Sequence, residues 1–199
     1  MTLRNRVLGF SVVELVVVLA MTVILTTGAI LVLQPAMRNY RSDSAMHIVV
    51  DQIRQARELA ITNRRYVAIS FPFVAGRAEI AITQMNTLTP GAGAVNPLIS
   101  SVPIPLPMSY LVLNSLPDTP DGFGNAAPID FEGVAGGPAG GMLFQSDGEL
   151  VDGATLLPIN GSVFIAEPNQ PASARAITVL GTTGRVRAWK SVGAGWLRF

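Results

Sequence analysis

The sequence predicts an α+β fold in which a long N-terminal helix, membrane-spanning in its first half, packs on an antiparallel β-sheet. Three observations predict this fold. Residues 15–33 form an apolar run without a charge. Residues 36–63 continue with apolar side chains at helical spacing. Short β-branched and aromatic runs, separated by turn residues, recur through the rest of the chain.

The composition restricts the class of protein. The chain has 199 residues, which is room for one domain of ordinary size plus an appendage. It is 49% hydrophobic and 14% charged, and 14 Lys and Arg residues nearly balance 13 Asp and Glu residues. A net charge of +1 gives no overall attraction for nucleic acid. Cysteine is absent, which excludes disulfides and cysteine-based zinc sites.

The apolar run at residues 15–33 predicts a membrane-spanning helix. Its nineteen residues, at about 1.5 Å each, cover most of a hydrocarbon core of about 30 Å. Arg4 and Arg6 favour a cytoplasmic N-terminus, although Arg38 and Arg41 flank the other end. A secretory signal peptide is the alternative, but its apolar region would be only about 7–15 residues long and would precede an A-x-A site.

Glu14 places a carboxylate at the edge of this apolar run, where it costs about 2–3 kcal/mol without a partner. A position at the level of the lipid headgroups is one interpretation. The other comes from a resemblance. Residues 9–14 read Gly-Phe-Ser-Val-Val-Glu and precede the apolar run, and this sequence resembles the prepilin motif of type IV pilins and type II secretion pseudopilins.

The resemblance implies how the N-terminus is processed and used. A prepilin peptidase would remove residues 1–9 as a leader by cutting after Gly9, and Phe10 would become the N-methylated first residue. Residues 10–34 would then form the transmembrane and filament-core helix. Glu14 would serve assembly by pairing with the α-amine of an adjacent subunit, because a carboxylate buried among helices needs a cation.

Residues 35–199 are expected to form a periplasmic pilin-like α+β domain. Pro35 predicts a kink in the helix. Beyond it, Arg54, Gln55 and Glu58 lie off an apolar stripe that would pack on the sheet. The stripe consists of Met46, Val49, Val50, Ile53, Ala56 and Ala60.

Strands are predicted on both sides of a proline- and glycine-rich insertion at about residues 89–141. Residues 66–71 and 77–83 predict a hairpin, and the insertion contains one strand at residues 110–114. A turn is predicted at Ser146-Asp147-Gly148. The later strands are residues 142–145, 162–166, 176–180 and 185–189. The order of elements over residues 9–71 and 142–189 resembles the GspH/FimT branch of pilin-like proteins, which includes FimU.

Few residues suggest catalysis or ligand binding. His47 is the single histidine, which excludes a multi-histidine metal site within one chain and leaves a surface or packing role. Asp118, Asp121, Asp130 and Glu132 could offer oxygen ligands to calcium, but their spacing fits no standard loop, so we expect solvated loop carboxylates. We expect no catalysis, no cofactor and no metal site.

A phosphate-binding loop has a lysine directly after its last glycine. In the segment Gly184-Arg185-Val186-Arg187 that position is an arginine, so the segment does not match this motif. In a strand, Arg185, Arg187 and Trp189 would share one face, and an ordinary solvated face is one interpretation. The other is again a resemblance: FimT-like minor pilins of natural competence carry a G-R-x-R motif there, which implies DNA binding by Arg185 and Arg187.

Together these observations predict a minor pseudopilin of the GspH type in a type II secretion or type IV pilus-like filament. The alternative is a FimT-like minor pilin that binds DNA for natural transformation. The expected partners are other major and minor pseudopilins, the prepilin peptidase, an inner-membrane assembly platform and, in the alternative, DNA. The expected location is the inner membrane, with one span and a periplasmic C-terminal domain, and then a periplasmic or surface filament.

Overall fold

A computed structural model of the chain describes residues 11–85, 96–131, 134–135 and 142–199. The chain divides into two compact units, Met1–Arg38 and Asn39–Phe199. Helix α1, Val12–Asn63, contributes to both units. The predicted α+β class is confirmed, because the helix is followed by antiparallel strands throughout the second unit.

The apolar side chains described in the N-terminal unit are exposed. Helix α1 has Glu14 in its first turn, and the Leu15 amide donates to the Ser11 carbonyl at 3.1 Å. A window of 18 residues in this helix has a mean hydropathy of 2.7 and no buried residue, so it is long and apolar enough to cross a membrane. Its exposed large side chains include Val12, Val13, Leu15, Val16, Val18, Leu19, Met21, Val23, Ile24 and Leu25.

Polar groups within the apolar stretch are bonded inside the helix. Thr22, Thr26 and Thr27 each donate their hydroxyl to a backbone carbonyl three or four residues earlier, at 2.8 Å. Such bonds reduce the cost of placing a hydroxyl in lipid. The helix continues through Pro35, and the predicted kink there stays a prediction.

The second half of the helix carries the apolar stripe that the sequence predicts. Arg54, Gln55 and Glu58 are exposed. Every residue of the predicted stripe is buried, at 4% exposure or less: Met46, Val49, Val50, Ile53, Ala56 and Ala60. The stripe is the helical side of the core of the second unit.

Short strands follow the helix in the second unit. Its described residues form β1 Val67–Ser70, β2 Phe73–Val74, β3 Arg77–Gln84, β4 Leu98–Pro103, β5 Ser109–Tyr110, β6 Ile129–Phe131, β7 Val134–Ala135, β8 Met142–Phe144, β9 Leu150–Asp152, β10 Gly161–Ala166, β11 Arg175–Leu180, β12 Arg185–Val192 and β13 Gly195–Arg198.

The first sheet has the order β2-β3-β1-β8-β9, with β4 also paired to β3. The predicted hairpin is confirmed as the antiparallel pair β1 and β3, with Val67 opposite Gln84. The predicted turn between β8 and β9 is also confirmed. In it the Gly148 amide donates to the Gln145 carbonyl at 3.0 Å.

The second sheet has the order β13-β12-β11-β10-β6-β7, and β5 pairs with β10 beside β6. Strands β10, β11 and β12 confirm the predicted strands at residues 162–166, 176–180 and 185–189. All of these strands pair antiparallel. A continuous hydrophobic core joins this sheet, the first sheet and α1.

The described part of the proline-rich segment belongs to both sheets, since it supplies β4, β5 and β6. The predicted strand at residues 110–114 is wrong beyond Tyr110, where β5 ends. The Leu111 amide still donates to the Phe164 carbonyl of β10 at 3.2 Å, but the Leu111 and Leu113 side chains pack in a small second core with Leu116. Residues 86–95, 132–133 and 136–141 lie outside the described residues.

Residues 111–128, which we call the covering segment, lie against the face of the second sheet opposite α1. Phe164 and Trp189 on that face form a third core with Val112 of the segment. The Trp196 indole donates to the Pro117 carbonyl at 2.8 Å. The second sheet is therefore packed on both faces.

A buried ion pair joins the helix to the second sheet. The Arg175 side chain is 0% exposed, and its Nε lies 2.7 Å from Asp43 Oδ1, while the Asp43 side chain is 27% exposed. Arg175 Nη1 also donates to the carbonyls of Ala172 and Ala174. These bonds satisfy most of the N–H donors of the Arg175 guanidinium, a cation that would be costly to bury without partners.

Candidate functional site

The N-terminal site predicted from the resemblance is described only in part. Gly9 and Phe10 lie outside the described residues, so cleavage and N-methylation stay predictions. Glu14 is exposed in the first turn of α1. A carboxylate in a first turn is favoured by the helix dipole. Its role in assembly stays a prediction.

Gly184, the first residue of the G-R-V-R segment, is required by close packing. It caps the short 3₁₀ helix Gly181–Thr183 with a φ of 60°, in the left-handed region. A Cβ at this position would collide with the Gly148 carbonyl oxygen and would lie 2.7 Å from Arg57 Cδ. Arg57 Nε donates to the same Gly148 oxygen at 3.2 Å. The glycine therefore allows the turn after β8, the helix and the start of β12 to meet.

The two arginines of this segment have different surroundings. Arg185 is exposed. The Arg187 side chain is 32% exposed and forms an ion pair with Asp121 of the covering segment. Asp121 also accepts a hydrogen bond from Thr178 Oγ1 at 2.6 Å, and the Trp189 indole donates to that hydroxyl at 3.0 Å.

This network corrects the interpretation of the strand face as an ordinary solvated surface. Trp189 is 7% exposed and packs in the third core. Val186 and Ala188 point toward the main core, as strand alternation predicts. Of the three residues on this face, Arg185 is exposed, Arg187 is partly buried and Trp189 is buried.

The acidic residues of the proline-rich segment bond to the protein, so the expectation of solvated carboxylates is wrong for those described. Asp118 accepts from the amides of Thr119 and Gly124 at 2.6 and 2.9 Å. Asp130 is fully buried and accepts from the Ala126 amide at 2.7 Å. Asp121 is paired as described above.

Within the described residues no cluster of three His, Asp or Glu side chains could hold a metal ion, and Glu132 lies outside them. His47 is exposed, and its ring meets the Phe199 ring edge to face with centroids 5.5 Å apart. An exposed position with one ring contact agrees with the surface or packing role expected for the histidine.

A groove that the sequence alone does not reveal lies between α1 and the start of β12. It has a volume of about 650 Å³ and is lined by Arg54 and Arg57 of the helix and by residues 183–186 at the start of the strand. Glu58 is the one carboxylate among the residues that line it. The spacing of residues 54 and 57 indicates a shared helix face, but it gives no sign of which strand residue joins them.

Comparison with known proteins gives one similar solved structure. It is the minor pseudopilin EpsH from the Type 2 Secretion System of Vibrio cholerae, with 13% sequence identity over 75% of this chain and 97% of that chain, at a TM-score of 0.43. The chain matches no family model and no curated protein.

Proposed function

We propose that this chain is a minor pseudopilin-type subunit of a type II secretion or type IV pilus-like filament, anchored in the inner membrane by its N-terminal helix. One observation carries the proposal. An 18-residue window in the first half of α1 is apolar and has no buried residue, and Glu14 is the carboxylate of the first turn. Such a surface needs lipid or neighbouring helices around it.

The proposed mechanism is mechanical and involves no catalysis. After removal of residues 1–9, the helix rests in the inner membrane with the second unit in the periplasm. The same apolar surface then leaves lipid and packs among the helices of other pilins on an assembly platform. Glu14 pairs with a neighbour's α-amine, which selects the register, because a mispaired carboxylate among apolar helices is costly.

Site-specific photocrosslinking tests this assembly. A photoreactive group at Val16, exposed one turn or less from Glu14, should crosslink to partner pilins in membranes. Glu14→Ala should reduce the crosslinked fraction, while Thr22→Ala on the same helix should not. Unfolding of the second unit should change by less than about 0.5 kcal/mol in both variants. Unchanged crosslinking in Glu14→Ala would remove the amine pairing from the proposal.

A second candidate function is DNA binding in natural transformation, as in FimT-like minor pilins. The observation that favours it is the exposed side chain of Arg185 at the start of β12. If Arg185 and Arg187 each neutralise one phosphate of duplex DNA, the log–log salt slope should be roughly −1.8. Titration of the full chain in detergent, with Arg185→Gln/Arg187→Gln for comparison, tests this. Binding that the double substitution leaves intact would argue against the motif.

A further inference from the structure

A tight turn lies beside the helix at the point where the chain enters the second unit. Ser42 is in the first helical turn of that unit, and its hydroxyl donates to Met108 Sδ at 3.6 Å. The Met108 amide closes the turn by donating to the Pro105 carbonyl at 3.0 Å. The Ile104 amide donates to the Ala78 carbonyl at 2.8 Å, so the same turn also lies beside the start of β3.

A second turn, between β2 and β3, lies next to the first. Phe73 of β2 is opposite Ala78, the residue that accepts the bond from the first turn. The two connecting residues, Ala75 and Gly76, have φ values of 49° and 79°. Hairpin turns of this kind favour Asn or Asp before the glycine. Alanine is less favourable at a positive φ, but it keeps the tip of this hairpin free of polar side chains.

The two turns expose apolar side chains at one end of the second unit. Phe73 is 66% exposed, Val74 is 49% exposed and Leu106 is 52% exposed. Ile104 and Met108 are buried on either side of Leu106, so the base of that turn is fixed in the core while its tip faces outward. We call this surface the entry end, and it comprises residues 40–42, 71–78 and 104–108.

The chain itself keeps the entry end close to the bilayer proposed for α1. The apolar run ends at Leu33, and Tyr40 follows seven residues later. Seven helical residues rise about 10 Å, which is comparable with the thickness of a headgroup layer. Tyr40 is 75% exposed, and tyrosine is enriched at the interface between membrane and water. Lipid is therefore the apolar phase nearest to the exposed tips.

The charges at the entry end are suited to anionic lipid. Arg41 and Arg77 are both exposed. The carboxylates closest to them in sequence already have partners, since Asp43 belongs to the buried ion pair and Glu79 accepts from the Ser101 hydroxyl at 2.6 Å. Apolar side chains with arginines beside them are typical of surfaces that enter the headgroup region of a bilayer.

We propose that the entry end docks on the surface of the bilayer that holds α1. Phe73, Val74 and Leu106 enter the boundary between headgroups and acyl chains, and Arg41 and Arg77 bind the phosphates of anionic lipids. The inference rests on the membrane anchor of the proposed function. It adds that the second unit rests on lipid before assembly and must release these contacts to enter a filament.

Spin labels measure this contact, and the absence of cysteine allows each label to be placed at one chosen site. The sample is the full chain, one copy per nanodisc of phosphatidylcholine and phosphatidylglycerol. Labels at Phe73→Cys and Leu106→Cys should collide more with oxygen than with a water-soluble nickel chelate, as labels in lipid do. Ile61→Cys is the matched control. Ile61 is also apolar and exposed, but it lies about 31 Å further along α1 than Tyr40, and its label should favour the nickel chelate.

Arg41→Gln/Arg77→Gln tests the headgroup contacts. Each substitution should lower the ratio of lipid-facing to water-facing label at Leu106→Cys about fivefold. In discs without phosphatidylglycerol the substitutions should have no effect, and an equal loss in both kinds of disc would overturn the assignment to anionic headgroups.

A label at Val18→Cys, within the apolar run, separates this inference from the membrane anchor. Water contact at Val18 would overturn both. Lipid contact at Val18 together with water contact at Phe73 and Leu106 would overturn the docking and leave the anchor standing. Labels at Phe73 and Leu106 that are shielded from both reagents would show that protein covers these tips, which would overturn the assignment to lipid.

Discussion

Arg187 of β12 forms an ion pair with Asp121 of the covering segment, across the face of the second sheet opposite α1. Asp121 is 8% exposed at its side chain and also holds Thr178, so one carboxylate ties the segment to two strands. The guanidinium that the sequence motif offers to DNA therefore has a partner within the chain.

Asp121→Asn should lower the free energy of unfolding of the second unit by about 1–3 kcal/mol, because a charged hydrogen-bonding partner of Arg187 is lost. Chemical denaturation of the full chain in detergent measures it. A double-mutant cycle with Arg187→Gln should give a coupling energy of about 1 kcal/mol or more. Asp147→Asn, in an exposed turn, is the control and should cost less than about 0.5 kcal/mol. A coupling energy near zero would contradict the pairing.

Gly184→Ala should destabilise the second unit by about 2 kcal/mol or more, since the new Cβ meets the Gly148 carbonyl and Arg57 in addition to the unfavourable φ. Gly193→Ala is a matched control with a φ of 58° and no atom within 4 Å. It should cost only the backbone term, about 1 kcal/mol. Thermal unfolding compares the two variants, and equal costs would show that close packing does not require Gly184.

Asp43→Ala and Arg175→Met should have unequal effects. The first leaves the fully buried Arg175 without its carboxylate and should cost about 3–5 kcal/mol. The second removes the buried cation and leaves a partly exposed Asp43 that water can solvate, so about 1–2 kcal/mol is expected. Denaturant titration gives both values. The reverse order would contradict the burial of the pair.

Tyr110 should make stability fall at alkaline pH. Burial, followed by the nearby charge of Glu79, raises the pKa of the Tyr110 hydroxyl well above its ordinary value of 10. Its hydroxyl donates to the Glu79 carbonyl at 2.7 Å. The folded state thus retains this proton at a pH where the unfolded chain loses it, and this contribution is present below pH 10 and is lost as pH rises above it.

Comparison with Tyr110→Phe isolates this effect. The variant should be less stable near neutral pH, because the carbonyl of Glu79 loses its donor, but its stability should decline less between pH 10 and 11. The difference in absorbance of ionised tyrosine between the two proteins should show that the Tyr110 hydroxyl ionises above its ordinary pKa of 10. Identical pH profiles for the two proteins would contradict the raised pKa.

Periodic patterns predicted much of the fold. The stripe at Met46–Ala60 follows from helical spacing, and strands β8, β10, β11 and β12 follow from runs of residues that favour strands, whereas β9 was not predicted. The division of the strands into two sheets did not follow from the sequence. Both sheets use β-branched residues on both faces, so alternation cannot assign a partner.

The proline-rich segment was the least predictable part. Proline and glycine mark turns, yet β4 and β6 pair across residues that are distant in sequence, and only the fold brings these together. The pairing of Asp121 with Arg187 has the same cause. The groove depends on the close approach of Gly184 to Arg57. These residues are more than a hundred positions apart, so no local sequence pattern predicts the groove.

The central claim is that the N-terminus is processed and used as in pilins, and mass spectrometry of the chain from membranes tests it most directly. Coexpression with a prepilin peptidase should remove residues 1–9 and leave a methylated Phe10 as the first residue. Gly9→Val should keep the precursor, because a bulkier side chain obstructs the scissile bond. Glu14→Ala should still be cleaved. An intact Met1 in the presence of the peptidase, or cleavage after the apolar stretch of α1, would contradict the account.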